Sequence, residues 1–127
     1  MADPRSDTPN TTEDRLSIEQ RLWDHGSVLL KLTGQIDANT FHALTLALKS
    51  LFQQQRYRIV LDCSSVLYIA SAGIGAIINA MAEAQANDGN VVVMNPSPGA
   101  QRTLVLFGLH EVVPMANDRN AALGYFD

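Results

Sequence analysis

The sequence predicts an α/β domain in which a mixed, mostly parallel β-sheet packs against about four helices, with a β-hairpin at its N-terminal end. Three observations predict it. Short aliphatic runs alternate with segments whose apolar residues recur every three to four positions, as strands alternate with crossover helices in βα units. The first two strand-like runs are joined by turn residues alone, which makes a hairpin. A length of 127 residues, 46% hydrophobic but only 6% aromatic, suits one domain with a core of aliphatics and Ala.

Residues 1–14 hold Asp, Pro, Ser, Thr and Asn with hardly an aliphatic, so they read as a flexible tail ahead of a domain spanning 15–127. Leu16, Ile18 and Leu22 alternate with polar residues, the period of a half-buried strand. Asp24-His25-Gly26-Ser27 then supplies a turn, and Val28 to Leu32 a second strand. Past Gly34, Phe41, Leu44, Leu48 and Leu51 take the helical period, with Asp37 as the expected N-cap. Ile59-Val60-Leu61 reads as a strand covered on both faces. Ala72 to Ala86 reads as a second helix, ended by Asn87-Asp88-Gly89, with Ile74, Ile77, Ile78 and Met81 expected on its buried side. Val91 to Met94 repeats the buried-strand pattern. Asn95-Pro96-Ser97-Pro98-Gly99 breaks the chain before a third helix carrying Leu104, Val105 and Leu109. Val112-Val113 reads as a short edge strand, since Pro114 cannot donate to a ladder, and a last short helix is expected within 117–126.

Composition narrows the function classes. Nine basic against 13 acidic residues give a net charge of −4, with no Lys/Arg-rich run, which disfavours nucleic acid and anionic membrane surfaces as partners. The single Cys allows no internal disulfide and no multi-cysteine zinc site. No apolar stretch approaches a membrane span, and the first residues lack a secretory signal, so a cytoplasmic setting is expected. His25, His42 and His110 lack metal-ligand spacing and read as surface residues, so no metal is expected. Cys63 follows a buried-strand run and reads as an inert thiol. Gly73 and Gly75 form Gly-x-Gly at a strand-to-helix junction without the third glycine of a dinucleotide fold or the Lys of a P-loop. A small nucleotide-binding module rests on that pair alone; no cofactor and no enzymatic activity are expected.

The junction ending in Ile69-Ala70-Ser71-Ala72-Gly73 is the place where chemistry fits. Ser71 stands where the second helix begins, so its hydroxyl can cap the free N–H groups of the first turn. The other reading is a phosphorylation site. A phosphate there would meet the positive end of the helix dipole and the N–H groups expected to be free at Ala72, Gly73 and Ile74. With Ala72, Gly75, Ala76, Asn79 and Glu83 expected toward solvent, the helix would offer a small-residue strip along which another protein could approach.

Over about residues 16–124 the sequence resembles the STAS domain family, in particular its small stand-alone anti-sigma factor antagonists. Leu32-Thr33-Gly34-Gln35-Ile36-Asp37 resembles the family's Leu-x-Gly-x-Leu/Ile-Asp segment. Ile59 to Ser64 resembles its central strand, and Ile69 to Gly75 its Ile-Asp-Ser-Ser/Thr-Gly-Leu-Gly signature. Asn95-Pro96-Ser97-Pro98, Arg102 and Gly108-Leu109 are similar to later landmarks. Two positions depart: Ala70 stands where the family has Asp, and Ala72 where it has Ser or Thr.

The resemblance implies a STAS-like fold and a partner-switching role. An antagonist of this kind binds an anti-sigma factor that is also a serine kinase, loses that binding when phosphorylated at the serine matching Ser71, and is restored by a metal-dependent serine phosphatase. Asp37, Ala70, Ser71, Ala72, Gly73, Gly75, Ala76 and Asn79 correspond to the partner-facing surface. The alternative is a non-phosphorylated STAS scaffold, a subunit of a lipid-transport ATPase complex or a signalling assembly.

Overall fold

The structure is a computed structural model that describes residues 16–126; the tail expected over 1–14 lies outside the described residues. Five strands form one sheet in chain order: β1 (Ser17–Leu22), β2 (Val28–Ile36), β3 (Arg58–Ile69), β4 (Asn90–Met94) and β5 (Met115–Ala116). β1 runs antiparallel to β2, and the other three pairings are parallel. Trp23 N–H donates to the Ser27 carbonyl at 2.8 Å and closes the hairpin, as the turn residues predict. Four helices complete the fold: α1 (Phe41–Gln53), α2 (Ser71–Gln85), α3 (Pro98–Leu106) and α4 (Arg119–Gly124).

The sheet is covered on both faces, as parallel strands require. On one face Leu44, Leu48 and Leu51 of α1 and Ile74, Ile77 and Met81 of α2 pack on Leu30, Leu32, Ile59 and Leu61. The other face holds a smaller core of Leu29, Val60, Val92, Met94 and Ala116, closed by Ala122 of α4. β3 is central and longer than the aliphatic run Ile59-Val60-Leu61 suggests. Its pairing with β4 ends at Asp62, and the remainder, to Ile69, pairs only with β2. That outer half escapes a periodicity reading because exposed residues come in pairs, Ser64-Ser65 and Leu67-Tyr68, between buried Cys63, Val66 and Ile69.

Two local expectations are corrected. The last strand is Met115–Ala116 rather than Val112-Val113. The Val112 and Val113 N–H groups both donate to the Leu109 carbonyl, at 2.9 and 2.8 Å, and so close a helical turn. Pro114 serves the sheet through its carbonyl, which accepts from Val93 N–H at 2.9 Å. Asp37 does not cap α1, whose N-cap is Thr40. Instead Asp37 Oδ1 accepts from Asn39 N–H, Thr40 N–H and the Thr40 hydroxyl, at 2.9, 3.1 and 3.2 Å. It organises a turn one step earlier in the chain, because a tight reversal is needed to leave β2 before α1 can begin.

Candidate functional site

The parallel strands β2 and β3 end side by side, Ile36 opposite Ile69. Just beyond them stand Asp37 and Ala70, and Ala70 N–H donates to the Ile36 carbonyl at 2.7 Å. This bond keeps Ala70 extended, with φ −85° and ψ 173°, so α2 starts one residue later. Ser71 is therefore the first helical residue and Ala70 the N-cap, with no side-chain group to cap with. The capping reading of Ser71 is corrected on that ground. Its side chain is exposed and, among the described residues, has no hydrogen-bond partner.

The N–H groups left free at this helix end are also shifted by one. Ile74 N–H donates to the Ala70 carbonyl at 3.1 Å, so the unpaired set among the described residues is Ser71, Ala72 and Gly73 rather than Ala72, Gly73 and Ile74. The first turn of α2 carries no acidic side chain to oppose an anion. An exposed serine hydroxyl, three free N–H groups and the positive end of a helix dipole thus share one helix end.

Gly73 sets how closely α2 seats on the strand ends. A Cβ there would lie 2.5 Å from Ile36 Cγ2 and 2.8 Å from Ile69 Cγ2. Gly73, one of the expected partner-facing residues, is buried. Gly75, in contrast, is half-buried and has nothing within 4 Å of where a Cβ would stand. Packing within the chain gives no reason for a glycine at position 75.

The helix faces differ from the expected ones at two residues. Ile78 is 39% exposed and Ala76 is buried. Ala76 and Ala80 lie against Leu48 and Phe52 of α1 along a groove of about 200 Å³, where Asn79 also lines the wall. A reading by side-chain size puts the large Ile78 inside and the small Ala76 outside. Contact with α1 rotates the buried arc the other way, because small residues let two helices approach. The outward strip is Ser71, Gly75, Ile78 and Ala82, flanked by half-buried Ala72 and exposed Asn79. Ile78 and Ala76 are the two residues that sequence reasoning placed on the wrong face. The available signal was that Ile77 and Ile78, adjacent and about 100° apart, need not share one face.

The weaker chemical candidates stay apart from this corner. Cys63 is buried, and burial, with the nearby Asp62 charge, pushes its thiol up to about 12, so it is neither thiolate nor nucleophile near neutral pH. His25, His42 and His110 are exposed, and among the described residues no group of three or more His, Cys, Asp or Glu could hold a metal. None of the described helices is long and apolar enough to cross a membrane.

With this geometry in place, the sequence profile of the STAS domain matches residues 20–122. The chain belongs to the STAS domain family. A relative, the anti-sigma F factor antagonist of Paenibacillus polymyxa, is 23% identical over 99 residues, covering 77% of this chain and 85% of its own. Among solved structures, an anti-sigma factor antagonist from Mycobacterium paratuberculosis superposes with a TM-score of 0.81 at 23% identity, over 93% of this chain and all of the other. The phosphorylated form of the Bacillus cell fate determinant SpoIIAA superposes with a TM-score of 0.66 at 19% identity, over 85% of this chain and 97% of its own. The STAS-like fold expected from the motifs, a mostly parallel sheet with an N-terminal hairpin, is the fold observed.

Proposed function

We propose that this STAS domain is an anti-sigma factor antagonist: it binds an anti-sigma factor serine kinase when unmodified and releases it when Ser71 is phosphorylated. The observation that carries the reading is the exposed hydroxyl of Ser71, the first residue of α2, which has no hydrogen-bond partner among the described residues. The names of its relatives and the landmarks in its own sequence support the same role. The partner surface in this reading runs from Asp37 and Ala70 along Ser71, Ala72, Gly75, Ile78 and Asn79. Ala76 is left out of it because α1 covers that side.

Phosphorylation would add about −1.5 to −2 charge at pH 7. Residues 16–127 are close to neutral, with seven basic and nine acidic residues. One phosphate would dominate the local field, while the N–H groups of Ser71, Ala72 and Gly73 hold it without rearrangement. The protein's part is binding and release, and the group transfer belongs to the kinase and to a metal-dependent phosphatase.

The test is incubation with the cognate kinase and ATP, read by mass spectrometry, beside kinase binding by wild type and Ser71→Asp. Phosphate on Ser71 and at least a tenfold loss of affinity in Ser71→Asp are expected. An unmodified Ser71 with undiminished binding by Ser71→Asp would instead identify a constitutive scaffold.

A further inference from the structure

The edge of the sheet at β1 is unpaired among the described residues, and five of the strand's six residues are exposed. In an antiparallel ladder, alternate residues bond the partner strand and the others point outward. The bond from Trp23 N–H to the Ser27 carbonyl fixes the phase. Ser17, Glu19 and Arg21 bond toward β2, and Ile18, Gln20 and Leu22 present their N–H and C=O groups to the free edge. Exposed edges of this kind template further strand pairing unless something blocks them.

We propose that β1 is the contact strand of a homodimer, in which two copies join their sheets edge to edge about a two-fold axis at Gln20. The side chains select both the occupant and the register. Antiparallel pairing of β1 with a second β1 must match outward-bonding residues, so Gln20 meets Gln20 and Ile18 meets Leu22, with about six main-chain hydrogen bonds. Glu19 of each copy then stands directly opposite Arg21 of the other, at the closely spaced, non-hydrogen-bonded positions where side chains interact most. Shifting the register to centre on residue 19 would set Glu19 against Glu19, and centring on residue 21 would set Arg21 against Arg21; both put like charges in contact.

Glu19 and Arg21 already pair within the strand, with Arg21 Nη2 3.0 Å from Glu19 Oε2. Dimerisation would extend that pair into a four-charge ladder. On the opposite face of the strand, Leu22 is 63% exposed, and its cross-strand neighbour in the dimer would be Ile18. The contact is made by β1 and uses none of the residues of the proposed partner surface, so it does not depend on the partner-switching role.

Sedimentation equilibrium of the full chain from micromolar to millimolar concentration tests the contact. Wild type is expected to dimerise. Glu19→Arg and Arg21→Glu, both at exposed positions, are each expected to weaken dimerisation about tenfold or more, because each replaces two attractive pairs with two repulsive ones. Mixed in equal amounts, the two variants restore opposite charges across the contact and are expected to associate as heterodimers about as tightly as wild type. A wild type that stays monomeric throughout would overturn the proposal. So would single variants that dimerise like wild type, or a mixture that fails to associate.

Discussion

Helices α2 and α3 both begin with a Ser-x-Gly tripeptide, Ser71-Ala72-Gly73 and Ser97-Pro98-Gly99, and the fold uses their serines in opposite ways. Ser97 is the N-cap of α3: its Oγ accepts from Ala100 N–H at 3.1 Å and donates to the Val66 carbonyl, while its N–H donates to the Cys63 carbonyl at 3.1 Å. Ser71 lies one residue further into its helix, and among the described residues its exposed hydroxyl takes no hydrogen bond from the first turn. The cause is the incoming chain. Ala70 is held extended by its bond to Ile36, which fixes the N-cap at Ala70. A serine near a helix start is therefore spent or free according to a one-residue register that the neighbouring strand decides.

The two glycines are alike in need but not in rigidity. A Cβ on Gly99 would lie 1.9 Å from the Leu67 carbonyl oxygen, a backbone atom that cannot step aside, whereas a Cβ on Gly73 meets side-chain methyls. Gly99→Ala is thus expected to be the most damaging change, costing about 3 kcal/mol in urea unfolding. Gly73→Ala should cost about 2 kcal/mol, since Ile36 and Ile69 are buried and stiff at χ1 and yield only in part, while Ala favours the helix. Equal losses would show that both contacts relax in the same way.

Ser97→Ala removes a cap and leaves the Val66 carbonyl without its hydroxyl donor, and is expected to cost about 1–2 kcal/mol. Ser71→Ala, at an exposed position with no partner among the described residues, should change stability by no more than about 0.5 kcal/mol. If thermal and urea unfolding found Ser71→Ala as costly as Ser97→Ala, the contrast between a spent and a free serine would fail.

The sequence made the alternation of strands and helices legible because aliphatic runs such as Val91-Val92-Val93 and the spacing of Leu44, Leu48 and Leu51 carry their own period. The strand-to-helix junction at Ser71 was legible too, since the signature around it is local. The outer half of β3 was harder to read, because one edge of it is bonded to β2 while α3 packs against it, so its burial follows no simple alternation. The two-residue β5 has too little sequence to announce itself. The swap of Ile78 and Ala76 depends on where α1 lies, a long-range fact absent from the helix's own pattern. The role of Ser71 turned on one hydrogen bond between two strand ends.

The overhang of β3 has a mechanical consequence. Beyond Asp62 that strand is fastened to β2 along one edge, while on its other side the loop at Ser97 holds it through Cys63 and Val66. The peptide that presents Ser71 is thus a short cantilever, clamped near its root by a segment about thirty residues later in the chain. A kinase or phosphatase approaching this corner would meet a stiff target whose aim is set at a distance, and loosening the clamp would blur the aim before it unfolded the domain.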